Sequence, residues 1–429
     1  MKTFPAKQQG KIKQIFQAHW ASFWPSNKQK FPKEMWKSIE EAVEKMLKCG
    51  NVENGYALYR CNVCGEGYLQ VGFTCKSRFC ARCGRVYVDK WVAGVTSKIA
   101  NVRHWHVVFT IPEQFRGFFF KKRKLLKGLA DLAAETLLAV IADQRKKNGV
   151  KDKLLSGMIA VIHTFGRDLK YNPHVHMLVA CGGVNKRSKK WEDIDFVLYE
   201  GLHKVWQYKL LQFIKQQGKG DAKIASLVDQ CWKSQPEGLY VNVQKPMKNA
   251  RHAARYIGRY LSRPAIAEYR IEEYDGQTVT FWYQDHNSGQ RERCKLPVEE
   301  IIGRLVMHIP AKHFQMVRRY GFYGRRVCEL VKTVVQSLKK FVQQVFDVCK
   351  EGKKGWRERL IESFHRDPLK CPHCGAEMEL WEIWHPKYGK IYDVWEGATD
   401  VSREKTKEAT PPRAEPKDFQ LRFAFMLSG

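Results

Sequence analysis

The spacing of hydrophobic residues changes several times along the chain, and each change predicts a different kind of element. Residues 1–50 place aromatic residues at helical spacing, which predicts two or three short amphipathic helices. From about residue 102, short apolar runs alternate with longer stretches of helical spacing. The pattern predicts strands over 106–111, 158–164 and 174–180, a Lys-rich helical region over 118–148 and a helix near 196–217. This order indicates an α+β fold with a central antiparallel sheet and helices on one of its faces.

The second half of the chain continues the pattern with a hairpin and a helical stretch. The apolar run 279–283 precedes the turn residues Asn287, Ser288 and Gly289, which predicts the first arm of a β-hairpin. Residues 298–350 have helical spacing. Residues 402–418 are rich in Lys, Glu, Thr and Pro, a composition typical of a mobile tail.

The charge balance narrows the class of partner. The chain has 75 Lys and Arg against 44 Asp and Glu, which gives a net charge of +31 over 429 residues. Such an excess indicates a polyanionic partner bound largely through counterion release, and it leaves both DNA and RNA open. We find neither an apolar run of the length that crosses a membrane nor a signal-peptide core, so we expect a cytoplasmic, nucleoid-associated protein without a membrane partner. In that compartment, 13 cysteines indicate metal binding and free thiols rather than disulfides.

A pair of histidines in the apolar run 172–180 is the first candidate for chemistry. His174 and His176 flank Val175, so in a strand both imidazoles point to the same face. Two imidazoles on one face are half of a metal site, although the same pattern also occurs as two half-buried histidines. His163 lies upstream, and the intervening turn residues predict an antiparallel hairpin that brings it beside His174. We therefore predict that His163, His174 and His176 bind one divalent ion.

A second His-x-His pair precedes the strand predicted over 106–111. His104 and His106 flank Trp105 just before the apolar residues of that strand. Because the third histidine, His163, favours the downstream pair, we assign no role to His104 and His106.

Candidates for a nucleophile lie in the stretch 255–263. It follows the helix-compatible residues 248–254, so Tyr256 and Tyr260 would lie one above the other on one helix face. A phenol has an ordinary pKa near 10, so tyrosine needs an electrophile that a cation has polarised. Paired tyrosines at this spacing also arise from simple amphipathic packing. On the adjacent face, three arginines follow the same four-residue step: Arg255, Arg259 and Arg263.

The cysteines of residues 61–83 predict a structural zinc site. Cys-x-x-Cys pairs form tight knuckles, and two such pairs complete a tetrahedron around zinc. We assign Cys61, Cys64, Cys80 and Cys83 as the ligands, with Cys75 as the residue that can replace one of them. Four protein ligands leave no open position, so the site is structural.

One further knuckle near the end of the chain lacks an obvious partner. Cys371 and Cys374 have the spacing of a zinc knuckle and are candidates for a second zinc site. His365 and His385 are the neighbouring residues available as further ligands.

Basic residues occur in several clusters that are predicted to contact DNA. The cluster at 318–326 interleaves basic and aromatic residues, as proteins that bind single strands do. A second cluster is a stripe of basic residues on the predicted helix: Lys121, Lys122, Arg123, Lys124 and Lys127. It is predicted to face phosphates, and the alternative is a helix face that contacts only solvent. Outside the tyrosine helix, the predicted DNA-binding residues are Arg78, Arg82, Arg85, Lys121, Lys122, Arg318, Arg319, Arg325 and Arg326.

In their order and spacing, these features resemble the insertion sequence 91 family of transposases. That family is the two-tyrosine branch of the HUH endonucleases, in which U is a bulky apolar residue. The resemblance covers roughly residues 40–330 and rests on five stretches: the Cys-rich segment 61–83, HVVFTIP at 106–112, HTFGRDLKYNPHVHMLVACGG at 163–183, YIGRYLSRPAI at 256–266 and RRYGFYGRR at 318–326.

Residue roles carry over from the resemblance at matching positions. The metal histidines of the family correspond to His174 and His176, and its nucleophiles correspond to Tyr256 and Tyr260. His163 has the spacing of the third metal histidine in the related relaxases. Many relatives have histidine where this chain has Asn172, a departure that leaves the core motif intact.

The resemblance implies a fold and a division into domains. The expected fold is an HUH-nuclease core with a central antiparallel sheet, preceded by a zinc-binding domain and followed by a helical and zinc-knuckle region. The expected segments are a basic helical region 1–50, a zinc-binding domain 51–98, an endonuclease core with the tyrosine helix 99–270, a hairpin and helical DNA-binding region 271–365, a zinc knuckle 366–400 and a polar tail 401–429.

The resemblance also implies a mechanism. The protein would be a transposase that uses Mg²⁺ or Mn²⁺ and a tyrosine to nick single-stranded or hairpin DNA at element ends, forming a 5′-phosphotyrosine and a 3′-hydroxyl. No Walker A sequence is present, so strand separation would come from a host helicase or from replication.

Three other functions remain as alternatives at this point. A rolling-circle replication initiator or relaxase shares the chemistry and differs in the DNA that it moves. A non-catalytic, zinc-bearing regulator would bind DNA and leave it uncut. A DDE transposase is disfavoured because the core lacks a persuasive group of three carboxylates.

Overall fold

The chain folds as two compact units built from different stretches of sequence. The computed structural model describes residues 10–96, 99–195, 197–247, 250–258, 265–285, 288–324, 333–334, 357–358, 361, 367, 369–395 and 397–398. The first unit takes in the described parts of 1–20, 40–87 and 350–429, and the second those of 21–39 and 88–349. The first unit is thus built from both ends of the chain, whereas the segments predicted from the sequence follow one another in linear order.

The helices alternate with strands through most of the described chain. The helices are α1 Lys11–Asn27, α2 Lys33–Lys48, α3 Ala81–Thr96, α4 Arg116–Lys121, α5 Leu126–Lys147, α6 Tyr199–Gln217, α7 Ala222–Ser234, α8 Ala250–Gly258 and α9 Val298–Val306. None of these described helices combines the length and the apolar character that crossing a bilayer requires.

The strands fall into three sheets. They are β1 Tyr56–Arg60, β2 Tyr68–Gly72, β3 His104–Thr110, β4 Leu154–Phe165, β5 Tyr171–Asn185, β6 Trp191–Asp193, β7 Val241–Val243, β8 Ile271–Tyr274, β9 Thr278–Gln284, β10 Arg291–Pro297, β11 Val317–Tyr320, β12 Glu379–His385, β13 Gly389–Asp393 and β14 Gly397–Ala398.

A central antiparallel sheet organises the second unit. Among the described residues its order is β11-β4-β5-β3-β7, and β6 pairs with β5 beside this path. Every pairing in it is antiparallel. The predicted α+β class is therefore confirmed, and β3, β4 and β5 correspond to the three strands that the hydrophobic pattern predicted, except that β3 ends at Thr110 and not at residue 111.

The two faces of this sheet are covered by different helices. On one face, α5 and α6 bury a large apolar core, in which Trp206 contacts Phe109 at 4.9 Å between ring centroids and donates to the carbonyl oxygen of Thr110. On the other face, Ala253 and Ile257 of α8 join a smaller core with residues of β4 and β5. Helices therefore cover both faces rather than one.

The hairpin of β4 and β5 is the longest pairing in the sheet. The turn between the strands closes with hydrogen bonds from Gly166 N to Lys170 O and from Lys170 N to the Asp168 carboxylate, at 3.0 and 3.2 Å. Its register sets His163 directly opposite His174. The hairpin expected from the turn residues is confirmed, and it fixes the arrangement of the central histidines.

Two predictions for the second half have different outcomes. The hairpin predicted after residue 279 is confirmed, because β9 pairs with β10 throughout its length. The helical prediction over 298–350 is correct for α9 and wrong for β11, which adds to the edge of the central sheet beside β4. Since a lone edge strand of four residues has little periodicity of its own, only pairing with β4 identifies it. Residues 307–316 are turns or irregular, which the helical prediction also missed, and residues 325–332 and 335–350 lie outside the described residues.

The first unit contains a five-stranded sheet that joins the two ends of the chain. Its order is β14-β13-β12-β1-β2 among the described residues. β1 pairs with β2 on one side and with β12 on the other, so a strand from residues 379–385 completes a sheet begun at residue 56. Local sequence patterns do not reveal a pairing at such a separation.

Candidate active site and metal centres

Three histidines lie together on the α8 face of the central sheet. The candidate ligand atoms of His163, His174 and His176 all lie within 4.8 Å of one another. His163 Nδ1 lies 3.1 Å from His174 Nε2. That separation is close to the edge of about 3.0 Å between neighbouring ligands of an octahedral ion bound at about 2.1 Å. The structure thus brings together the three residues of the predicted site, at a spacing compatible with a divalent ion.

Hydrogen bonds to the outer nitrogens of His174 and His176 determine which ring nitrogen of each points into the cluster. His174 Nδ1 lies 2.6 Å from the carbonyl oxygen of Asn172, so Nδ1 carries the proton and Nε2 carries the lone pair. His176 Nδ1 lies 2.9 Å from His106 Nε2. In the tautomer in which His176 donates to His106, its Nε2 presents a lone pair to the cluster. Such outer contacts orient metal-binding imidazoles in general.

Burial keeps these imidazoles neutral. Desolvation lowers the pKa of His174 to about 4. Desolvation, followed by the charge of His174, also lowers the pKa of His163 and of His176 well below the ordinary 6.5. A neutral imidazole is the form that binds a metal ion. The three side chains are therefore ready for coordination at neutral pH.

Another buried histidine, His308, stabilises the turn of the same hairpin. One ring nitrogen lies 3.0 Å from the carbonyl oxygen of Leu169 in the turn, and the other lies 3.1 Å from the hydroxyl of Thr164 in β4. Desolvation lowers the pKa of His308 from 6.5 to about 3. Since the folded pKa is depressed, His308 contributes stability above pH 6.5 that is lost as the pH falls toward 3.

We expect a measurable pH dependence from His308 alone. When the pH falls from 7 to 5, protonation of His308 in the unfolded state should lower the free energy of unfolding by about 2 kcal/mol. The His308→Gln variant should therefore lose about 2 kcal/mol less stability than the wild type over this interval. Urea unfolding of both proteins at the two pH values measures the difference. Equal losses would show that His308 is not held neutral by the fold.

Tyr256 is the candidate nucleophile that the structure describes. Its hydroxyl donates to Gln244 Oε1 at 3.0 Å. Its ring meets the ring of His106 edge-on, with the centroids 4.8 Å apart. Because His106 in turn contacts His176, a single residue separates Tyr256 from the histidine cluster. The other candidate, Tyr260, lies outside the described residues.

His106 and Gln244 also line this site, although no motif in the sequence indicated them. His106 lies on the same sheet face as His176, and Gln244 follows the short strand β7 beside it. The motif does not show the register of β3 against β5, which brings His106 beside His176. His104, its partner in the His-x-His pair, is fully buried and contacts the hydroxyl of Tyr323 at 2.8 Å. The two histidines of one motif thus have separate surroundings.

Eight cysteines form two clusters, and the grouping differs from the predicted one. One cluster brings together Cys49, Cys75, Cys80 and Cys83, and the other brings together Cys61, Cys64, Cys371 and Cys374. The predicted set of Cys61, Cys64, Cys80 and Cys83 is therefore wrong as a single site. Of the two helpers suggested for the late knuckle, His385 lies in β12 and belongs to neither cluster, whereas His365 lies outside the described residues.

The hairpin of β1 and β2 explains the regrouping. Cys61 and Cys64 lie at its tip, whereas Gly50 N bonds to Phe73 O at its base and brings Cys75 beside Cys49. The five residues of β1 separate base from tip by about 16 Å. One ion cannot span that distance, so the two ends of the hairpin need separate ligands. Cys49 was missed because it belongs to no Cys-x-x-Cys pair.

The basic residues predicted to contact DNA differ in exposure. Arg82, Lys121, Lys122 and Arg319 are exposed. Arg78 is half-buried, and its guanidinium lies 5.5 Å from the ring centroid of Tyr87. The predictions that fall on Arg259, Arg263, Arg325, Arg326 and the side chains of Arg85 and Arg255 lie outside the described residues.

Two basic residues that were predicted to contact DNA instead contact other residues of the protein. Arg318 forms an ion pair with Asp131 at 3.0 Å, and the hydroxyl of Tyr320 bonds to the same carboxylate. Arg123, assigned to the stripe of basic residues, is only 4% exposed and lies over the ring of Tyr171. Both side chains contact neighbouring elements, Arg318 contacting α5 and Arg123 contacting β5, and there they stabilise the fold instead of presenting a surface charge.

Known families and proteins match this chain over most of its length. A family described as "Transposase zinc-binding domain" matches residues 15–111, and one described as "Putative transposase" matches residues 157–330. The chain is 29% identical over 356 residues to the transposase for insertion sequence element IS801 of Pseudomonas savastanoi pv. phaseolicola, across 79% of this chain and 82% of that protein. It is 25% identical over 349 residues to putative transposase y4qJ of Sinorhizobium fredii (strain NBRC 101917 / NGR234), across 76% and 84% respectively. No solved structure matches it significantly.

Proposed function

The chain belongs to the insertion sequence 91 family of transposases, and from this membership we propose that it nicks and rejoins single-stranded DNA by tyrosine attack. The observation that carries the proposal is the contact of Tyr256 with His106, which itself contacts His176 of the histidine cluster. A nucleophile and a metal-binding cluster on one face of a sheet are the two parts that such a reaction needs.

The histidine cluster is proposed to hold the catalytic ion. Mg²⁺ or Mn²⁺ bound by His163, His174 and His176 would act as a Lewis acid on the scissile phosphate and offset its charge. The fold supplies neutral imidazoles, and the Asn172 carbonyl fixes the orientation of His174. His106 is proposed as a positioning residue, because it orients His176 from behind and packs against Tyr256.

The covalent step is proposed at the hydroxyl of Tyr256. Its oxygen forms a bond to phosphorus while the bond from phosphorus to the 3′-oxygen breaks. The phenol gives up one proton and the released 3′-oxygen gains one, so the products are a 5′-phosphotyrosine and a 3′-hydroxyl. The ester retains the energy of the cleaved bond, and rejoining therefore needs no nucleotide cofactor.

Tyr260 is proposed as the second nucleophile. It follows Tyr256 by four residues, the spacing that places two side chains on one helix face. A second tyrosine can cut the target or the other element end while the first remains bound to DNA. Two nucleophiles would thus allow one protein to carry out both cleavages of a rolling-circle type of transposition.

The proposed substrate is single-stranded or hairpin DNA. The net charge of +31 and the exposed basic residues Lys121 and Lys122 favour binding to phosphates. A nucleotide must leave its stack to reach a site of this kind. We propose that a host helicase or replication separates the strands, since the chain has no Walker A sequence.

Structural zinc is supported by the match to a zinc-binding domain and by the cysteine clusters. We propose that Cys49, Cys75, Cys80 and Cys83 bind this zinc. Cys83 Sγ lies 3.7 Å from Cys49 Sγ and 3.6 Å from Cys75 Sγ. Four thiolates around zinc at about 2.3 Å are separated by about 3.8 Å. The cluster therefore has nearly the size that tetrahedral zinc requires.

A covalent-adduct assay tests the proposed chemistry. Purified protein is incubated with Mn²⁺ and labelled single-stranded DNA from an element end, and the products are separated on a denaturing gel. We expect a protein-linked band in the wild type that the double variant Tyr256→Phe/Tyr260→Phe loses. The single variants show which tyrosine acts first.

The control for this assay is Tyr269→Phe, which changes a tyrosine that is 72% exposed and lies outside α8, in the short turn Glu268–Arg270. It should retain the adduct. An adduct that persists in the double variant would overturn tyrosine catalysis by these residues. Tight binding of the DNA without any adduct or nick in the wild type would favour a non-catalytic, zinc-bearing regulator.

A further inference from the structure

The late cysteine knuckle lies against the early one, although 307 residues separate Cys64 from Cys371. We infer that Cys61, Cys64, Cys371 and Cys374 bind a second zinc ion, which joins the two ends of the chain into one zinc ribbon. The inference is independent of the proposed nuclease activity, since it concerns only the first structural unit.

The four sulfur atoms have the spacing of a metal site. Cys61 Sγ lies 3.5 Å from Cys374 Sγ, and Cys64 Sγ lies 3.6 Å from Cys371 Sγ. These distances approach the edge of about 3.8 Å in a tetrahedral zinc–thiolate site. They far exceed the bond of about 2.05 Å in a disulfide. The sulfur atoms are therefore arranged around a common centre rather than paired covalently.

The two knuckles repeat the same backbone construction. Each has the sequence Cys-x-x-Cys-Gly, and each glycine has a left-handed backbone, with φ of 72° at Gly65 and 74° at Gly375. Gly65 N bonds to the carbonyl oxygen of Cys61, and Gly375 N bonds to that of Cys371. Turns of this kind direct both thiols of a knuckle to one point. Two such turns facing each other supply four converging ligands.

Gly67 leaves room for the late knuckle because it has no side chain. A Cβ atom at Gly67 would lie 2.3 Å from Cys371 Sγ and 3.3 Å from the Cβ of Cys61. Any larger residue there would displace the sulfur of Cys371. The absence of a side chain at Gly67 is thus a condition for the two knuckles to meet.

Contacts between β1 and β12 hold the knuckles in register. Arg60 pairs with Glu379 at the end of the strands that lies next to the cluster. Asn62, within the early knuckle, donates to the carboxylate of Glu379 at 2.7 Å. At the other end of β1, the hydroxyl of Tyr56 donates to Glu382 at 2.7 Å. The pairing of β1 with β12 and the proposed ion therefore both hold the early knuckle and the late knuckle together.

The ligand chemistry selects zinc and a structural role. Four cysteine thiolates are soft ligands that zinc prefers. They complete its tetrahedral coordination and leave no open position for a substrate. Binding releases the thiol protons, and its free energy contributes directly to folding. The early half of the zinc-binding domain thus depends for its stability on residues near the end of the chain.

The number of bound zinc ions tests the inference in the full-length protein. Elemental analysis and native mass spectrometry of the wild type should give two zinc ions, one for each cysteine cluster. Cys371→Ser/Cys374→Ser should retain one. Cys294→Ser, which changes a cysteine outside both clusters, should retain two. A single zinc in the wild type, two in the double variant, or iron in place of the second zinc would overturn the inference.

Cobalt substitution provides a test that keeps the site occupied. The Cys374→His variant replaces one thiolate by an imidazole and preserves four ligands. With two Co²⁺ bound, its visible d–d bands should shift to shorter wavelength for one of the two ions, and its sulfur-to-cobalt absorption should weaken by about one eighth. An unchanged spectrum in the folded, doubly loaded variant would show that Cys374 is not a ligand.

Discussion

Replacing His174 or His176 by alanine is expected to reduce metal-dependent nicking by at least about 10³-fold. Each change removes one of the three nitrogens that converge within 4.8 Å. An ion held by two imidazoles would lose both affinity and orientation, and the phosphate would lose its electrophilic activation. Cleavage of labelled single-stranded DNA as a function of Mn²⁺ concentration measures the effect. DNA binding, which depends on basic residues elsewhere, should change much less.

The matched control is His252→Ala, since His252 is an exposed histidine on the same helix as Tyr256 and belongs to none of the metal clusters that the described residues form. It should nick DNA at nearly the wild-type rate. His106→Phe, which keeps an aromatic ring beside Tyr256 but removes the nitrogen that contacts His176, should have an intermediate effect of about 10- to 100-fold. Higher Mn²⁺ should restore part of that loss. Full activity of His174→Ala in folded protein would exclude the proposed metal site.

The second large effect is expected from the Cys49 cluster. Cys75→Ser or Cys80→Ser should release the zinc proposed there and unfold the segment around residues 40–87. Structural zinc sites contribute about 10–16 kcal/mol of binding free energy, more than the total stability of most domains. Zinc content, limited proteolysis and hydrogen exchange of this segment measure the loss.

Cys294→Ser again serves as the control, because Cys294 lies in β10 and belongs to neither cluster. It should retain all the zinc and the same protection from proteolysis. Removing zinc from the wild type with a strong chelator should reproduce the effect of Cys75→Ser. A fully folded, zinc-free protein would contradict a structural role for the ion.

The histidine cluster was predictable because it depends on one local hairpin. His163 and His174 are joined by a short turn, and alternation along β5 places His176 on the same face as His174. The information needed is thus contained within 14 residues, 163–176. The metal-ligand role of these residues and the role of Tyr256 remain proposals for experiment.

The cysteine sites were predictable in kind and not in grouping. The Cys-x-x-Cys spacing indicates a zinc knuckle, because the geometry of the turn is local. Which knuckles share an ion depends on the length of β1 and on its pairing with β12, and neither property is visible in the motif. Cys49, outside any pair, carries no local signal at all.

Sequence alone therefore determined the antiparallel α+β core, the histidine hairpin, the presence of zinc knuckles and the family resemblance. Each of these depends on periodicity or spacing within a few tens of residues. Only the tertiary structure decided that Cys371 lies beside Cys64, that His106 stands behind His176 and that Arg318 is paired with Asp131. These contacts join residues that are 70 to 307 positions apart. At such separations the partner is chosen by strand register and core packing, which summed over the whole chain outweigh any local preference.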